Sequence, residues 1–333
     1  MSAPPPAGTV AGLLRAYADH PSAFLAVNSG TAHHQGRAVP GLIAHRTGRR
    51  QVVQFAGPFA AAPDRAALLD EFLAALADRP RRPRLTAVQL RREDIALYAA
   101  RGFAVNQIGS SYGIDLSRFR LAGKALAKVR QNVSRARREG VEVTEVLPGD
   151  LDGGAELDAI DAEWLRAKGR HVKELTFLVG ERGGPGAGLR RTFLARHGGR
   201  TVAYITYSPV WGSRPGLLYD LTRRSRTAPV GTIELINLTA LQRFQEEGAG
   251  WLHLGLTPFA GLDPAHEPAC SSPTLTRIVA LLGEHGRLVY PARSQEAFKR
   301  KWAPHTVEPE YAAFQGGVRL PAVWHLLRTT GAL

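Results

Sequence analysis

The run GLLYDLTRRSRTAPVGTIELINL, residues 216–238, sets ionisable side chains at the end of an apolar strand pattern and the start of a helix pattern. Asp220 stands in otherwise apolar text, where a carboxylate is costly unless a cation or an ammonium group pairs with it. Arg223 and Arg224 follow, and a planar guanidinium fork suits a phosphate or a polarised carbonyl oxygen. The plainer alternatives are an Asp220–Arg223 ion pair and a solvated basic turn. Glu234, in the first helical turn, either binds an amine or moves a proton, or simply complements the helix dipole. Lys301, in FKRKW, is placed to stabilise negative charge developing on a carbonyl oxygen, with Lys299 expected as an exposed companion. Tyr204 and Tyr207 either line a substrate pocket or belong to the core. This is the equipment of acyl transfer: a proton acceptor, a carbonyl polariser and groups that grip the donor.

A second group is of one sign. Arg118, Arg120, Lys124, Lys128, Arg130, Arg135, Arg137 and Arg138 fall between positions 118 and 138 with no acid among them. On the helix expected over Gly123–Arg138, Lys128, Arg135 and Arg138 are spaced by seven and three and share a face. The whole chain carries 43 Lys+Arg against 29 Asp+Glu, a net charge of +14, which favours a polyanionic partner such as a nucleic acid or an anionic membrane. A solvated face in an arginine-rich protein is the alternative.

These residues need a scaffold. With 333 residues, two domains are expected, divided as 1–120 and 121–333. Short strands are predicted at Leu25–Val27, Gly41–His45 and Gln51–Ala56, a helix over Asp64–Ala77, a strand at Leu85–Leu90 and an extended stretch over Phe103–Leu116. The second half repeats the order, with strands at Phe193–His197, Thr201–Ser208 and Gly216–Thr222, then a helix closed by Gly248 and the strand WLHLGLTP. Two copies of a strand-loop-helix-strand unit in a mixed α/β fold follow. A strand that opens before a helix N-terminus exposes amide groups to a phosphate or carbonyl ligand.

Several classes are excluded. Cys270 is the single cysteine, so no intrachain disulfide, thiolate zinc cluster or CxxC redox pair can form, and a reducing cytoplasmic setting is expected. No HExxH or HxH spacing occurs among the 11 histidines, so no metal is expected, and His171, His197 and His253 read as surface or core residues. P-loop and GxGxxG texts are also lacking. No stretch approaches 18 uncharged apolar residues, so any contact with lipid is expected from the membrane's inner surface, not across it.

Three passages together resemble a known family: LSRFRLAGKALAKVRQNVSRARREG (116–140), LLYDLTRRSRTAPVGTIELINLTALQRFQEEGAGWLHLGLTPFAGL (217–262) and AFKRKWAPHTVEPEY (297–311). They are similar to the carboxy-terminal catalytic domain of lysyl- and alanyl-phosphatidylglycerol synthases, whose text runs roughly "fDlmRr…apnG…E" and "FKxKFxPxWepxY". The resemblance implies a tandem N-acetyltransferase-like (GNAT) fold that passes an amino acid from aminoacyl-tRNA to an acceptor with no cofactor. It marks Asp220 and Arg223, with Glu234 and Lys301, as catalytic and Arg224 as substrate-binding, and makes the basic helix a tRNA surface. Val230 stands where the family has asparagine, so a small-molecule or peptide acceptor stands beside an anionic lipid. An acyl-CoA-dependent N-acyltransferase is the rival enzyme. Its loop would read Q/R-x-x-G-x-G/A, whereas Pro229 in RTAPVG removes an amide donor. A non-catalytic module binding nucleic acid or a membrane surface is the third reading.

Overall fold

The structure is a computed structural model that describes residues 9–146, 154–167, 177–285 and 292–331. In chain order its elements are α1 (Val10–Tyr17), β1 (Ala32–Gln35), β2 (Gly41–Thr47), β3 (Gln51–Ala60), α2 (Arg65–Ala77), β4 (Arg84–Leu90), α3 (Ile95–Ala99) and β5 (Phe103–Asp115). Then come α4 (Ala127–Arg138), β6 (Glu142–Val146), α5 (Gly154–Ala167), β7 (Arg191–His197), β8 (Arg200–Val210), β9 (Gly216–Arg224) and α6 (Thr232–Glu246). The chain closes with β10 (Trp251–Pro258), α7 (Pro273–His285), α8 (Ala292–Arg300), β11 (Thr306–Gln315) and α9 (Leu320–Thr329).

The strands form one mixed sheet of 11, ordered β1-β2-β3-β4-β11-β5-β10-β9-β8-β7-β6. Two parallel pairs, β3 with β4 and β9 with β10, sit in mirrored places, and each is bridged by a helix, α2 or α6. Between them lie β11 and β5, each antiparallel to its neighbours. The last strand of each half is thus exchanged: β5 lies against β10 of the second half, and β11 lies against β4 of the first. The division at 120/121 is carried forward as a proposal, with the addition that Thr306–Gln315 lies within the sheet of the first half.

Strand directions follow from these pairings. β9 and β10 run opposite to β3 and β4, so the parting of the second pair opens at the edge where β3 and β4 begin. Buried side chains fill both faces. One cluster joins Val129, Val133, Tyr207, Ile236, Phe244 and Trp302, and another joins Leu14, Phe24, Phe55, Val279 and Phe314.

Two local expectations change. Leu25–Val27 is part of a 3-10 turn, Ala23–Val27, all of whose residues are buried; burial on every side produces the unbroken apolar text that a central strand also shows. The basic helix begins at Ala127 instead of Gly123, because Gly123 adopts φ 78° and Leu126 at the cap has φ −96° and ψ 8°. Its apolar stripe, Val129, Val133 and Ala136, is buried in the same cluster as α6, which turns most of its cations outward. Strands β1, β6 and β11 and helices α7 to α9 were not expected as elements.

Close approach of α4 to α6 needs glycine at the start of α6. Gly231 has φ 94°, and a Cβ there would sit 2.0 Å from the carbonyl oxygen of Asn132. Gly231→Ala is expected to lower unfolding free energy by about 2 kcal/mol or more, since left-handed strain adds to a backbone clash. Gly248→Ala is the control: its φ is 77° but nothing lies within 4 Å of an added Cβ, so only the conformational cost of about 1–2 kcal/mol remains. Paired denaturant titrations measure the difference, and equal losses would refute the contact.

Candidate active site

Where β9 and β10 part, backbone groups lose their ladder partners and must be satisfied otherwise. The pair is joined only at Trp251–Gly216, Leu252–Leu217 and His253–Leu218. Just beyond, β10 bulges between His253 and Gly255, with Gly255 at φ 70°. At this bulge the carbonyls of Gly255 and Leu256 both accept from the Lys299 ammonium, at 2.8 and 2.9 Å. Lys299 is therefore buried, 7 % exposed, and is not the exposed companion expected from the sequence. The unpaired carbonyls of the parting strands draw its ammonium inward. Burial pulls its pKa down to about 7, against the attraction of Glu310. Burial pushes Glu310 up to about 7, against Ser111, Lys299 and Arg91. His20 lies 3.7 Å from Glu310, but burial holds its pKa at about 3 and it adds no charge at neutral pH.

Immediately after α8, Lys301 turns the other way. Its ammonium donates to Glu234 Oε1 at 2.5 Å and lies 4.2 Å from the centre of the Phe298 ring. Asn132 of the basic helix donates to the same oxygen at 2.7 Å. Burial alone would raise the pKa of Glu234, but the hydrogen bond and charge of Lys301 and the Asn132 amide hold it below the usual carboxylate range. The Lys301 side chain keeps 22 % exposure, so the pair sits at an opening and not inside the core. Phe298 packs on Tyr219 of β9, with ring centres 5.8 Å apart.

The loop into α6 is exposed, but three of its amides are bonded within the protein. The amide of Arg226 donates to Glu163, that of Thr227 to the Ser225 hydroxyl and that of Ala228 to the Ser225 carbonyl, and residue 229 is proline. A diphosphate finds few donors on such a loop. A cavity of about 390 Å³ lies beyond the end of β10, bounded by α7 and α8 and lined by Gln107, Gly261, Glu267, Thr276 and Glu296 among others.

The residues expected to act together divide into separate groups. Asp220 is enclosed, its side chain 1 % exposed, and pairs with Arg190 at 3.4 Å, not with Arg223. The Ser208 hydroxyl and the Gly180 amide also donate to it, while burial raises its pKa. Arg190 in turn donates to Asn28 at 2.6 Å, a residue just past the 3-10 turn that had been read as a strand. Arg223 stacks 3.8 Å from the centre of the Trp164 ring and lies 3.6 Å from Asp161 of α5, which also accepts from the Tyr204 hydroxyl. Tyr219, immediately before Asp220, packs instead with Tyr207 and Phe298 beside Glu234. Asp220 and Glu234 are therefore on opposite faces of β9, because successive strand residues alternate and β8 and β9 shift register between Thr206 and Tyr207.

Tyr204 and Tyr207 are both 0 % exposed; Tyr207 donates to Asn237 at 2.8 Å within the core, so neither borders the opening at Lys301. Arg224 is exposed at the end of β9. Of the basic set, Arg118, Arg120, Lys124, Lys128, Arg135, Arg137 and Arg138 are exposed, while Arg130 is half-buried and donates to the Gly123 carbonyl at 2.7 Å. Arg135 pairs with Glu139 at 2.7 Å. Of the histidines read as surface or core, His197 is exposed, His253 is buried and His171 lies outside the described residues. Sequence reasoning missed Asn132, Arg190, Asn28 and Glu310. Asn132 had a weak signal, as one of three uncharged polar residues inside the helical part of a cationic run; the others have none, since their roles depend on distant chain segments.

Glu310 supplies a pH test. Its folded pKa of about 7 lies above the ordinary 4.5, so the folded state binds the extra proton. Its contribution to stability is full below pH about 4.5 and is lost as pH rises through about 7. Glu310→Gln is expected to remove that decline from a plot of unfolding free energy against pH, and an unchanged slope between these values would disprove the burial of an ionisable carboxyl there.

Residues 11–314 match the family described as phosphatidylglycerol lysyltransferase, C-terminal. The phosphatidylglycerol lysyltransferase of Bacillus subtilis is 28% identical over 223 residues, which are 65% of this chain and 24% of that protein. The lysylphosphatidylglycerol biosynthesis bifunctional protein LysX of Mycolicibacterium gilvum is 33% identical over 141 residues, 40% of this chain and 12% of that one. The matched region thus spans a quarter or less of these curated relatives. Among solved structures, L-PGS from Bacillus licheniformis superposes with a TM-score of 0.76 at 22% identity, covering 98% of both chains. The structure of FemX gives 0.54 at 11% identity, over 95% of this chain and 96% of that one. The expected mixed α/β, N-acetyltransferase-like fold is borne out. The chain belongs to the family of phosphatidylglycerol lysyltransferase C-terminal domains.

Proposed function

We propose that this chain transfers an aminoacyl group from aminoacyl-tRNA to phosphatidylglycerol or a closely related lipid hydroxyl. The observation that carries the reading is the Asn132–Glu234–Lys301 junction, which joins the exposed cationic helix to an acid and an amine at the mouth of the parted strands. An RNA acceptor stem held on α4 brings its terminal ester to that junction. The acceptor oxygen attacks the ester carbonyl and gives its proton to the Glu234 carboxylate. Lys301 stabilises the oxyanion, and the carbon–oxygen bond to the ribose then breaks, the proton passing to the departing ribose oxygen. The ester is already activated, so positioning supplies much of the rate.

The names of the relatives support a lipid acceptor, and the loop amides already bonded within the protein support a donor other than a CoA thioester. Lys299 adds to this by occupying carbonyls that the parting of the strands leaves open. Asp220 and Arg223 then act by holding Arg190, α5 and β9 in place, and a donor ammonium reaches Asp220 only by displacing Arg190. No helix among the described residues is long and apolar enough to cross a membrane, and the lipid is met from its surface.

Purified protein is to be incubated with charged tRNA and phosphatidylglycerol, and aminoacyl lipid followed by mass. Glu234→Gln and Lys301→Met are each expected to lower transfer about 100-fold or more while tRNA binding holds. Full transfer in both variants would remove the junction from the chemistry, and transfer driven by acetyl-CoA without tRNA would replace the reading altogether. Charge reversal at Arg135 and Arg138 is expected to weaken tRNA binding and flatten its salt dependence by about one unit of slope per lost phosphate contact.

A further inference from the structure

Among the described residues, unpaired positive charge also collects away from the basic helix. The turn after β2, the loop before β4, the turn after β11 and helix α9 meet at one edge of the first half. The Arg84 amide donates to the Arg50 carbonyl at 3.1 Å, and the Leu85 amide donates to the Gln315 side chain at 2.9 Å. Arg46 reaches the Thr329 carbonyl at 3.4 Å, and Gly48 abuts His325. Residues 46–51, 79–84 and 315–331 contain no Asp or Glu. Arg49, Arg50, Arg81, Arg82, Arg319 and Arg328 are all exposed there, and none forms an ion pair among the described residues.

Two large apolar side chains stand out of the same edge. Leu320 is 85 % and Trp324 60 % exposed, one turn apart on α9, while Ala322 on its inner side is buried. Against nucleic acid a protruding leucine gains nothing. At a bilayer an apolar tip enters the acyl boundary, an indole settles at headgroup level, and arginines meet anionic headgroups. This edge is also the one toward which β9 and β10 run, so the end of their parting and the arginines lie along the same edge of the sheet.

We infer that the α9 edge, with Leu320 and Trp324 at its tip and Arg49, Arg50, Arg81, Arg82, Arg319 and Arg328 around them, docks on an anionic bilayer. It thereby presents the active-site opening to headgroups in the membrane plane. The inference rests on the lipid-acceptor reading and gives that reading its surface.

Co-sedimentation with phosphatidylcholine vesicles, with and without phosphatidylglycerol, tests it. Wild-type protein is expected to bind only the anionic vesicles and to lose binding as salt rises. Each arginine at such a surface contributes roughly five-fold in partitioning, so Arg49→Gln with Arg50→Gln is expected to weaken binding about 25-fold. Leu320→Ser with Trp324→Ser is expected to cost about ten-fold or more, with unchanged thermal melting. The other four of the chain's 5 tryptophans are buried or half-buried, so a vesicle-induced blue shift of emission is expected to vanish in Trp324→Phe. Equal binding to both vesicle types, or variants that bind like wild type, would overturn the inference. So would loss of tRNA binding instead of vesicle binding in the arginine variant, which gives the edge to RNA. Transfer to a short-chain, water-soluble phosphatidylglycerol is expected to be unaffected in all three variants. Its failure in wild type would count against the acceptor reading while leaving the vesicle result standing.

Discussion

The parting of β9 from β10 after His253 is the constraint around which the second half is built. Two parallel strands that separate inside a protein leave amides and carbonyls that water does not reach, and each must find a partner. Here Gly255 aligns two carbonyls, and one lysine from α8 takes both. That anchor fixes the end of α8, and the end of α8 fixes Lys301. The proposed active-site arrangement is thus a consequence of satisfying backbone, and the buried lysine and glutamate beside it are held where protonation is balanced near neutrality.

A second dependence runs through α6. The left-handed Gly231 lets the carbonyl of Asn132 approach the helix start, and the Asn132 amide in turn reaches Glu234. An exposed cationic helix and a carboxylate are joined by one side chain, and in the proposed reaction a substrate gripped by the first would be delivered to the second. The exchanged strands β5 and β11 tie this half to the other. Because the halves run in opposite senses, the opening of the second half comes to the edge where the arginine-rich turns of the first half project.

The dominant electrostatic feature is separation. Two of the buried acids are matched by cations within the fold, Asp220 by Arg190 and Glu234 by Lys301. Much of the excess positive charge is left on two exposed regions, α4 and the α9 edge. Such an arrangement suits an enzyme whose donor and acceptor both carry phosphate.

Much was legible in the residues alone. Periodicity marked strands β7 to β10 and the two bridging helices, since alternation and 3.6-residue spacing are local properties. The α/β order, the cationic run and the chemistry-bearing residues around Asp220, Glu234 and Lys301 were equally readable from type and spacing. Tertiary structure alone decided which of them meet. Asp220 meets Arg190 and the Ser208 hydroxyl because it is the residue left unpaired at the β8–β9 register shift, on the side away from Glu234. Lys299 rather than Lys301 became buried because the bulge at Gly255 offers carbonyls only on one side of α8. Long-range pairing also set strand β11 among the first-half strands, and no local pattern encodes that. Sequence fixes what each segment is able to do; which segments share a crevice depends on backbone groups that must be satisfied across the whole fold.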